Sequence, residues 1–329
     1  MSIAVVIPCF RVRRHIMDVI ARIGSEVAAI YVVDDCCPEE SGNLVSAQCT
    51  DPRVQVVFHT KNLGVGGAVI TGYQSAIADG HEILVKVDGD GQMDPRLLPA
   101  FVSPLIAGEA DYSKGNRFYH LEEIHNMPFI RLFGNAALSF MSKISTGYWN
   151  IFDPTNGYTA IHAKVASHLP MAEISKRYFF ETDMLFRLNT LRAAVIDIPM
   201  DAVYGDEESN LRITKILPEF LGKHLKNTIK RIFYNYYLRD MSVASLQLPT
   251  GIFLTGFGSI FGVAHWIQSS TISVPSPAGT VMLAALPVIA GMHLLLAFIA
   301  SDIANQPQRP IHKILRLRQK NDNPITQRY

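Results

Sequence analysis

The sequence predicts an α/β domain built on a mostly parallel sheet, followed by amphipathic and then membrane-crossing helices. Three observations carry that expectation. Short runs rich in Val and Ile alternate with helical patterns over the first hundred residues. Acidic pairs sit immediately after two of those runs. From Met241 to Ser301 the chain has no Asp, Glu, Lys or Arg, although the 329 residues carry 30 basic and 29 acidic side chains.

Ile3–Pro8, Ala28–Val33, Val54–Phe58 and Ile83–Val87 are nearly unbroken in apolarity. Such runs suit strands covered on both faces, as in a parallel sheet with helices above and below. Between them, Val12–Ile23, Val65–Asp79 and Pro95–Ala107 read as helices. Asp94 is placed to cap the last of these, and Pro95 fits its first turn. Alternation of strand and helix implies right-handed crossovers and a doubly wound sheet. Residues 110–210 are more mixed. Tyr178–Asn189 reads as a helix and Ala193–Ile198 as a strand. The opening MSIAVVIPCF has no basic n-region and a short apolar run, so it reads as a buried strand and not a signal peptide.

Leu217, Leu221, Leu225, Ile229, Ile232 and Tyr236 recur at three- and four-residue steps, with Lys223, Lys226, Lys230 and Arg231 between them. That is a basic amphipathic helix, suited to a protein surface or an anionic membrane surface. Two apolar spans follow, about 249–268 and 279–301, each near the ~20 residues that cross a bilayer as a helix. The segment 269–278, with Pro275 and Pro277, is the turn between them. Basic residues crowd both flanks (Arg212–Arg239, and Arg309 to Arg328) and are absent from the turn. Positive-inside reasoning therefore puts both flanks in the cytoplasm. The expected division is 1–212 for the α/β domain, 213–247 for amphipathic helices, 248–302 for the hairpin and 303–329 for a basic cytoplasmic tail. The net charge of +1 gives no signal for nucleic acid. The four cysteines lack zinc spacing and read as ordinary reduced thiols.

In open parallel sheets, ligands bind beyond the carboxyl ends of the strands. Asp34 and Asp35 follow the second predicted strand; Asp88 and Asp90 follow the fourth. Two carboxylates one residue apart can place hard oxygens around Mg²⁺ or Mn²⁺, with a nucleotide diphosphate completing the shell. An EF-hand is excluded, because the sixth position is Met93 and the twelfth Pro99. The Gly-rich stretch Asn62-Leu63-Gly64-Val65-Gly66-Gly67-Ala68 misses the dinucleotide fingerprint, whose third Gly falls at Val69. It reads as a tight turn, with a donor contact through Asn62 and Gly64 left open.

With these residues in view, the chain resembles family 2 glycosyltransferases of GT-A fold, in particular those that act on polyprenyl phosphates. The resemblance rests on Val6-Ile7-Pro8-Cys9-Phe10, Val32-Val33-Asp34-Asp35, the Asn62–Ala68 turn, Asp88-Gly89-Asp90-Gly91-Gln92, Gly115-Asn116-Arg117-Phe118, Asp153-Pro154-Thr155-Asn156-Gly157-Tyr158 and the paired apolar spans. It implies that Pro8, Asp34, Asp35, Asp88 and Gly89 line a pocket for a UDP- or GDP-linked sugar. It implies that Asp90 and Gln92, with Asp88, hold the divalent ion. Arg117, Arg131 and Asn135 would receive the lipid phosphate, for which a planar guanidinium is well shaped. Glu181 and Asp183 lie where related transferases place acidic residues near the acceptor, so the resemblance implies a catalytic role for them beside Asp88, Asp90 and Arg117; a solvated helix face is the other reading. The stretch 204–211 lacks the Arg or Lys that the family often carries near the donor.

The implied activity is metal-dependent, inverting transfer of a sugar to polyprenyl phosphate at the cytoplasmic face of a bacterial inner membrane. Two alternatives remain beside it: extension of a lipid-linked or cell-surface glycan, and a nucleotide-dependent oxidoreductase. A homo-oligomer is compatible with either. A processive synthase is disfavoured by the absence of a Q-x-x-R-W stretch.

Overall fold

The computed structural model describes residues 1–119, 129–201 and 213–317; within these, the side chains of 129–133, 135 and 213–217 lie outside the described set. The chain divides into two compact units. The first is Met1–Thr228 together with the segment from Pro307, and the second is Ile229–Gln306.

The first unit is a seven-stranded sheet in the order β3-β2-β1-β4-β6-β5-β7. Its strands are β1 (Ile3–Cys9), β2 (Ala29–Asp34), β3 (Val54–Phe58), β4 (Ile83–Lys86), β5 (Tyr112–Asn116), β6 (Thr159–His162) and β7 (Val195–Pro199). The helices of this unit are α1 (Ile16–Ala21), α2 (Ser41–Gln48), α3 (Val65–Ala78), α4 (Leu98–Ile106), α5 (Phe129–Thr146), α6 (Ala163–His168) and α7 (Phe180–Leu191). Helix α8 (Ile213–Phe233) begins in this unit and ends in the second.

All four strands expected in the first hundred residues are present, within a residue or so of their predicted ends. Alternate residues feed two separate cores. Ala4, Val6, Tyr31, Val33 and Leu84 pack with α3, α6 and α7. Val5, Ile7, Ile30, Val32 and Val85 pack with α1, α2 and α4. Coverage of both faces is why these strands read as continuous apolar runs and not as alternating ones. The helix expected over Val12–Ile23 is shorter, and α2 carries too little apolar periodicity to have been read from sequence. The helix expected from Pro95 opens as a 3₁₀ turn, Pro95–Leu97, with Asp94 accepting the Arg96 amide.

One strand breaks the parallel pattern. β6 runs antiparallel to both β4 and β5. This reversal matters, because the start of β6 lies at the edge where β1, β2 and β4 end. The register aligns Lys86 with Thr159, and Thr159 with Lys114. The residues just before β6, 153–158, therefore meet those just after β4 and β5.

The described tail returns to the opposite edge of the sheet. Asp111, fully buried, accepts the amides of Ile311 and His312 and the Nδ1 of His312 at 2.7 Å. The rings of His162 and His312 stack at 4.5 Å.

The second unit is a helical hairpin of α9 (Val243–Ile272) and α10 (Ala278–Ala304). Both helices are long and apolar enough to cross a membrane. They meet through small residues. A Cβ on Gly291 would lie 2.6 Å from the Thr255 nitrogen, and one on Gly258 2.6 Å from the Ala284 carbonyl oxygen. Such close backbone approach is how membrane helices pack where no hydrophobic force favours association. Ile252, Phe253, Ile260, Leu283 and Ile289 point outward and are more than half exposed. Arg231 and Asp302 form a buried forked ion pair (2.7 and 3.0 Å), and the Tyr236 hydroxyl donates to the same carboxylate at 2.7 Å.

Candidate active site

The carboxyl-end edge of the sheet gathers most of the residues singled out from sequence. Pro8 pairs with Val33 one residue before the end of β1, and Cys9 pairs with Asp34. Asp34 accepts the amides of Cys37 (2.8 Å) and Gly42 (2.7 Å). Asp35 accepts the amides of Leu63 (2.8 Å) and Gly64 (2.7 Å), and lies 2.7 Å from His59 Nδ1. The far nitrogen of His59 meets Thr71 Oγ1 on α3 at 2.9 Å. Asn62 donates to the Asp35 carbonyl. Asp35 thus fastens the Gly-rich turn to the end of β2, while Asp34 holds the chain from Cys37 to the start of α2. Gly64 is needed there: its φ is +86°, and a Cβ would collide with the Lys176 carbonyl.

At the tip of β4, Asp88 and Asp90 face this edge. Asp90 Oδ1 accepts the Gln92 amide at 3.0 Å, which curls the chain so that the three side chains belong to one turn. Gly91 holds φ at +79° within it, close to the His15 side chain. Among the described residues, no three His, Cys, Asp or Glu side chains stand grouped to hold a metal. The oxygens of Asp88, Asp90 and Gln92 are nevertheless of the hard type that Mg²⁺ and Mn²⁺ accept, and such ions commonly complete their shells with water and substrate phosphate. The residues fit a divalent ion that arrives with further oxygens.

Beneath that turn lies a row of buried polar groups, one residue inside the edge. Lys86 Nζ stands 2.7 Å from Asp88 Oδ1, donates to the Gly157 carbonyl at 3.0 Å and lies 3.5 Å from Glu181 Oε1. Burial alone would push this ammonium down, but the Asp88 and Glu181 carboxylates outweigh it and hold it up. Lys114 donates to the Asn156 carbonyl. Burial pulls it down to about 8, against the pull of Glu181 and Asp153. Two ammonium groups therefore hold consecutive carbonyls of the 153–157 turn.

The turn in turn holds Arg117. Its Nε donates to Asp153 Oδ2 at 2.7 Å and its Nη2 to Oδ1 at 3.1 Å. Asp153 is wholly buried. Burial would raise its pKa, but Arg117 overrides this and keeps the carboxyl below the usual range. The guanidinium is oriented, and the Arg117 side chain as a whole remains 34% exposed. Asp197 accepts the Phe152 amide at 2.9 Å and is pushed up to about 6, chiefly by burial.

Glu181 enters this cluster from α7, but Asp183 does not. Asp183 accepts the Ser175 amide (2.8 Å) and the Asn227 side chain (3.0 Å), which ties α8 to α7. His224, one turn before Asn227, meets Ser145 Oγ at 2.8 Å. The side chains of Arg131 and Asn135, and the stretch 204–210, lie outside the described residues.

Sequence similarity agrees with this arrangement. The model of glycosyl transferase family 2 matches residues 4–169, half of the chain. The chain belongs to glycosyl transferase family 2. An undecaprenyl-phosphate mannosyltransferase from Micrococcus luteus is 28% identical over 234 residues, covering 70% of this chain and 93% of that protein. A polyprenol monophosphomannose synthase from Mycolicibacterium smegmatis is 28% identical and covers 60% of this chain and 75% of that one. A UDP-N-acetylglucosamine–dolichyl-phosphate N-acetylglucosaminyltransferase from Methanococcus voltae is 29% identical, over 57% of this chain and 70% of that one. Among solved structures, glucosyl-3-phosphoglycerate synthase from Mycobacterium tuberculosis in complex with UDP superposes with a TM-score of 0.53 at 18% identity, covering 69% of this chain and 80% of that chain. The same protein in complex with Mn²⁺, UDP-glucose and phosphoglyceric acid gives 0.52. At that identity the likeness shows the GT-A fold of this glycosyltransferase.

Four residues of the polar cluster at this edge were not singled out from sequence: His59, Lys86, Lys114 and Asp197. Lys86 carried a usable signal. A lysine in the middle of Ile-Leu-Val-Lys-Val, a run otherwise fit for complete burial, demands a buried anion nearby. Asp197, inside Val-Ile-Asp-Ile, carried the same contrast, whereas Lys114 and His59 sit in segments without it.

Proposed function

We propose that this glycosyltransferase moves a sugar from a nucleotide-diphosphosugar to a polyprenyl phosphate in a membrane, with inversion at the anomeric carbon. The observation that carries the reading is a conjunction. The acidic tip of β4 sits in a family 2 domain whose chain continues into two helices fit to cross a bilayer, and its relatives are named for transfer to polyprenyl phosphates. The basic flanks favour a cytoplasmic catalytic unit.

The roles follow from chemistry. Pro8, the Asp35-braced turn at Asn62–Gly64, Asp88 and Gly89 would line the donor site. Asp90 and Gln92, with Asp88, would hold Mg²⁺ or Mn²⁺, which when bound neutralises charge on the departing diphosphate. A phosphate monoester has a second pKa near ~6, so the acceptor is anionic at neutral pH and needs orientation more than deprotonation. Arg117 suits that task, because Asp153 fixes its plane while the side chain stays partly exposed. Attack of a phosphate oxygen on the anomeric carbon breaks the bond to the nucleoside diphosphate, and a single displacement inverts the centre. Glu181, tied to Lys86, would act on the shape and charge of the site and not as a base.

The test is a panel of UDP- and GDP-sugars with polyprenyl phosphate and Mn²⁺ or Mg²⁺, reading the glycolipid formed. One sugar should appear on the lipid phosphate, and Asp90→Ala should abolish both transfer and metal-dependent nucleotide binding. Transfer only to a preformed glycan, with none to polyprenyl phosphate, would refute the acceptor. Undiminished turnover of Asp90→Ala in chelator would refute the metal.

A further inference from the structure

Lys86 stands on the face of β4 that otherwise feeds an apolar core, in line with Leu84. Across the sheet the register sets Lys86, Thr159, Lys114 and Asp197 in one row over β4, β6, β5 and β7. Lys86 is 1% exposed and Lys114 is fully buried. The two differ in their carboxylate contacts, and Lys86 also lies 3.5 Å from Glu181 Oε1. Lys86 contacts Asp88 Oδ1 directly at 2.7 Å, whereas Lys114 reaches only the backbone carbonyl of Asn156.

One oxygen of Asp88 thus already faces a fixed cation. Lys86 also lies near Glu181, so its ammonium offsets part, not all, of the negative charge of the Asp88 and Asp90 pair. A bare divalent ion would meet a weakened anionic site with few ligands, since no third acidic, Cys or His side chain joins the group among the described residues. Two positive charges a few ångströms apart repel each other appreciably even at the effective dielectric of a partly solvated site. A nucleoside diphosphate supplies what is lacking: negative charge and several hard oxygens.

We propose that Lys86 is a built-in counter-cation that makes metal binding conditional on nucleotide, lowering the affinity of the β4 tip for a bare divalent ion so that the ion is retained only together with a diphosphate. Lys86 is a positioning residue in this scheme: it acts through Asp88 and touches neither substrate. The inference rests on the metal-dependent reading above, and its test separates the two.

The experiment is Mn²⁺ binding by the purified full chain, followed by loss of the free-ion electron paramagnetic resonance signal, with and without UDP or GDP. The wild-type chain should bind Mn²⁺ appreciably only with nucleotide. Lys86→Gln keeps a hydrogen-bond donor and removes the charge; it should bind nucleotide-free Mn²⁺ at least about tenfold more tightly than wild type. Lys86→Arg keeps the cation and should behave as wild type. Lys114→Met, at the same depth without the Asp88 contact, should shift bare-ion binding by less than about threefold. Lys86→Gln binding bare Mn²⁺ no more tightly than wild type, with nucleotide-dependent binding intact, would overturn the inference alone. So would a wild-type chain that holds bare Mn²⁺ as tightly as Mn²⁺ with nucleotide, a result that needs no variant to fold. Absence of Mn²⁺ uptake even with saturating UDP and GDP would overturn the metal-dependent reading and this inference with it.

Discussion

Gly157→Ala adds one methyl group at the point where the 153–157 turn presses on the β4 tip. A Cβ there would collide with Asp88 Oδ2 and Lys86 Nζ and stand 3.0 Å from Met93 Cε. Gly157 is not among the residues with positive φ. The backbone therefore accepts alanine, and the whole effect is steric. Neither neighbour can yield freely, since Lys86 is fixed by Gly157 and Glu181 as well as Asp88. Overpacking of this kind costs about 1–3 kcal/mol. For a unit of this size, that corresponds to a fall of roughly 2–12 °C in Tm. The functional cost should be larger. Relief of the clash moves Asp88 by a substantial fraction of an ångström, and misplacement on that scale costs about 10²-fold in rate. The assay is steady-state transfer alongside thermal unfolding of the detergent-solubilised chain. Gly222→Ala is the control, because nothing lies within 4 Å of its added Cβ on α8; it should leave turnover unchanged and stabilise by about 0.5–1 kcal/mol. Turnover of Gly157→Ala within about twofold of wild type would refute the claim that this contact sets the geometry of the site.

Other outcomes follow from the same structure. Asp302→Ala leaves the Arg231 guanidinium buried without its carboxylate and should cost about 3–5 kcal/mol, seen as a lower Tm. Arg117→Lys keeps the charge but loses the fork to Asp153, so KM for the lipid phosphate should rise about tenfold or more with less change for the donor. Burial pushes Asp197 from its ordinary 3.8 up to about 6, so between those values the folded state holds a proton that the unfolded chain has lost. Its contribution to stability is therefore present at low pH and fades as pH rises from about 4 to 6. Asp197→Asn should gain on wild type by roughly 1–3 kcal/mol between pH 4 and pH 7, measured as the difference in unfolding midpoints.

The edge that carries the site was legible because parallel strands end there, and Asp34, Asp35, Asp88 and Asp90 each follow a strand that its own apolar run announces. The two apolar helices were legible from the absence of charge alone. What stayed hidden came from β6. Its reversal brings 153–157 against β4, and pairing partners 73 to 79 residues apart leave no local periodicity. The role of Asp183 was hidden for a similar reason. Its spacing from Glu181 suggests a shared site, yet on α7 the two side chains point apart, one toward Lys86 and the other toward Asn227. Asp34 and Asp35 show the converse. They stand where sequence places them, but their carboxylates brace backbone amides at Cys37, Gly42, Leu63 and Gly64.

Anomalous scattering from Mn²⁺ in crystals grown with a nucleoside diphosphate tests the account most directly. The account requires one strong peak within coordinating distance of Asp90 at the β4 tip, bridging to the diphosphate, with the nucleoside over the turn braced by Asp35. A peak elsewhere, or a nucleotide bound at the opposite edge near Asp111 and His312, would contradict it.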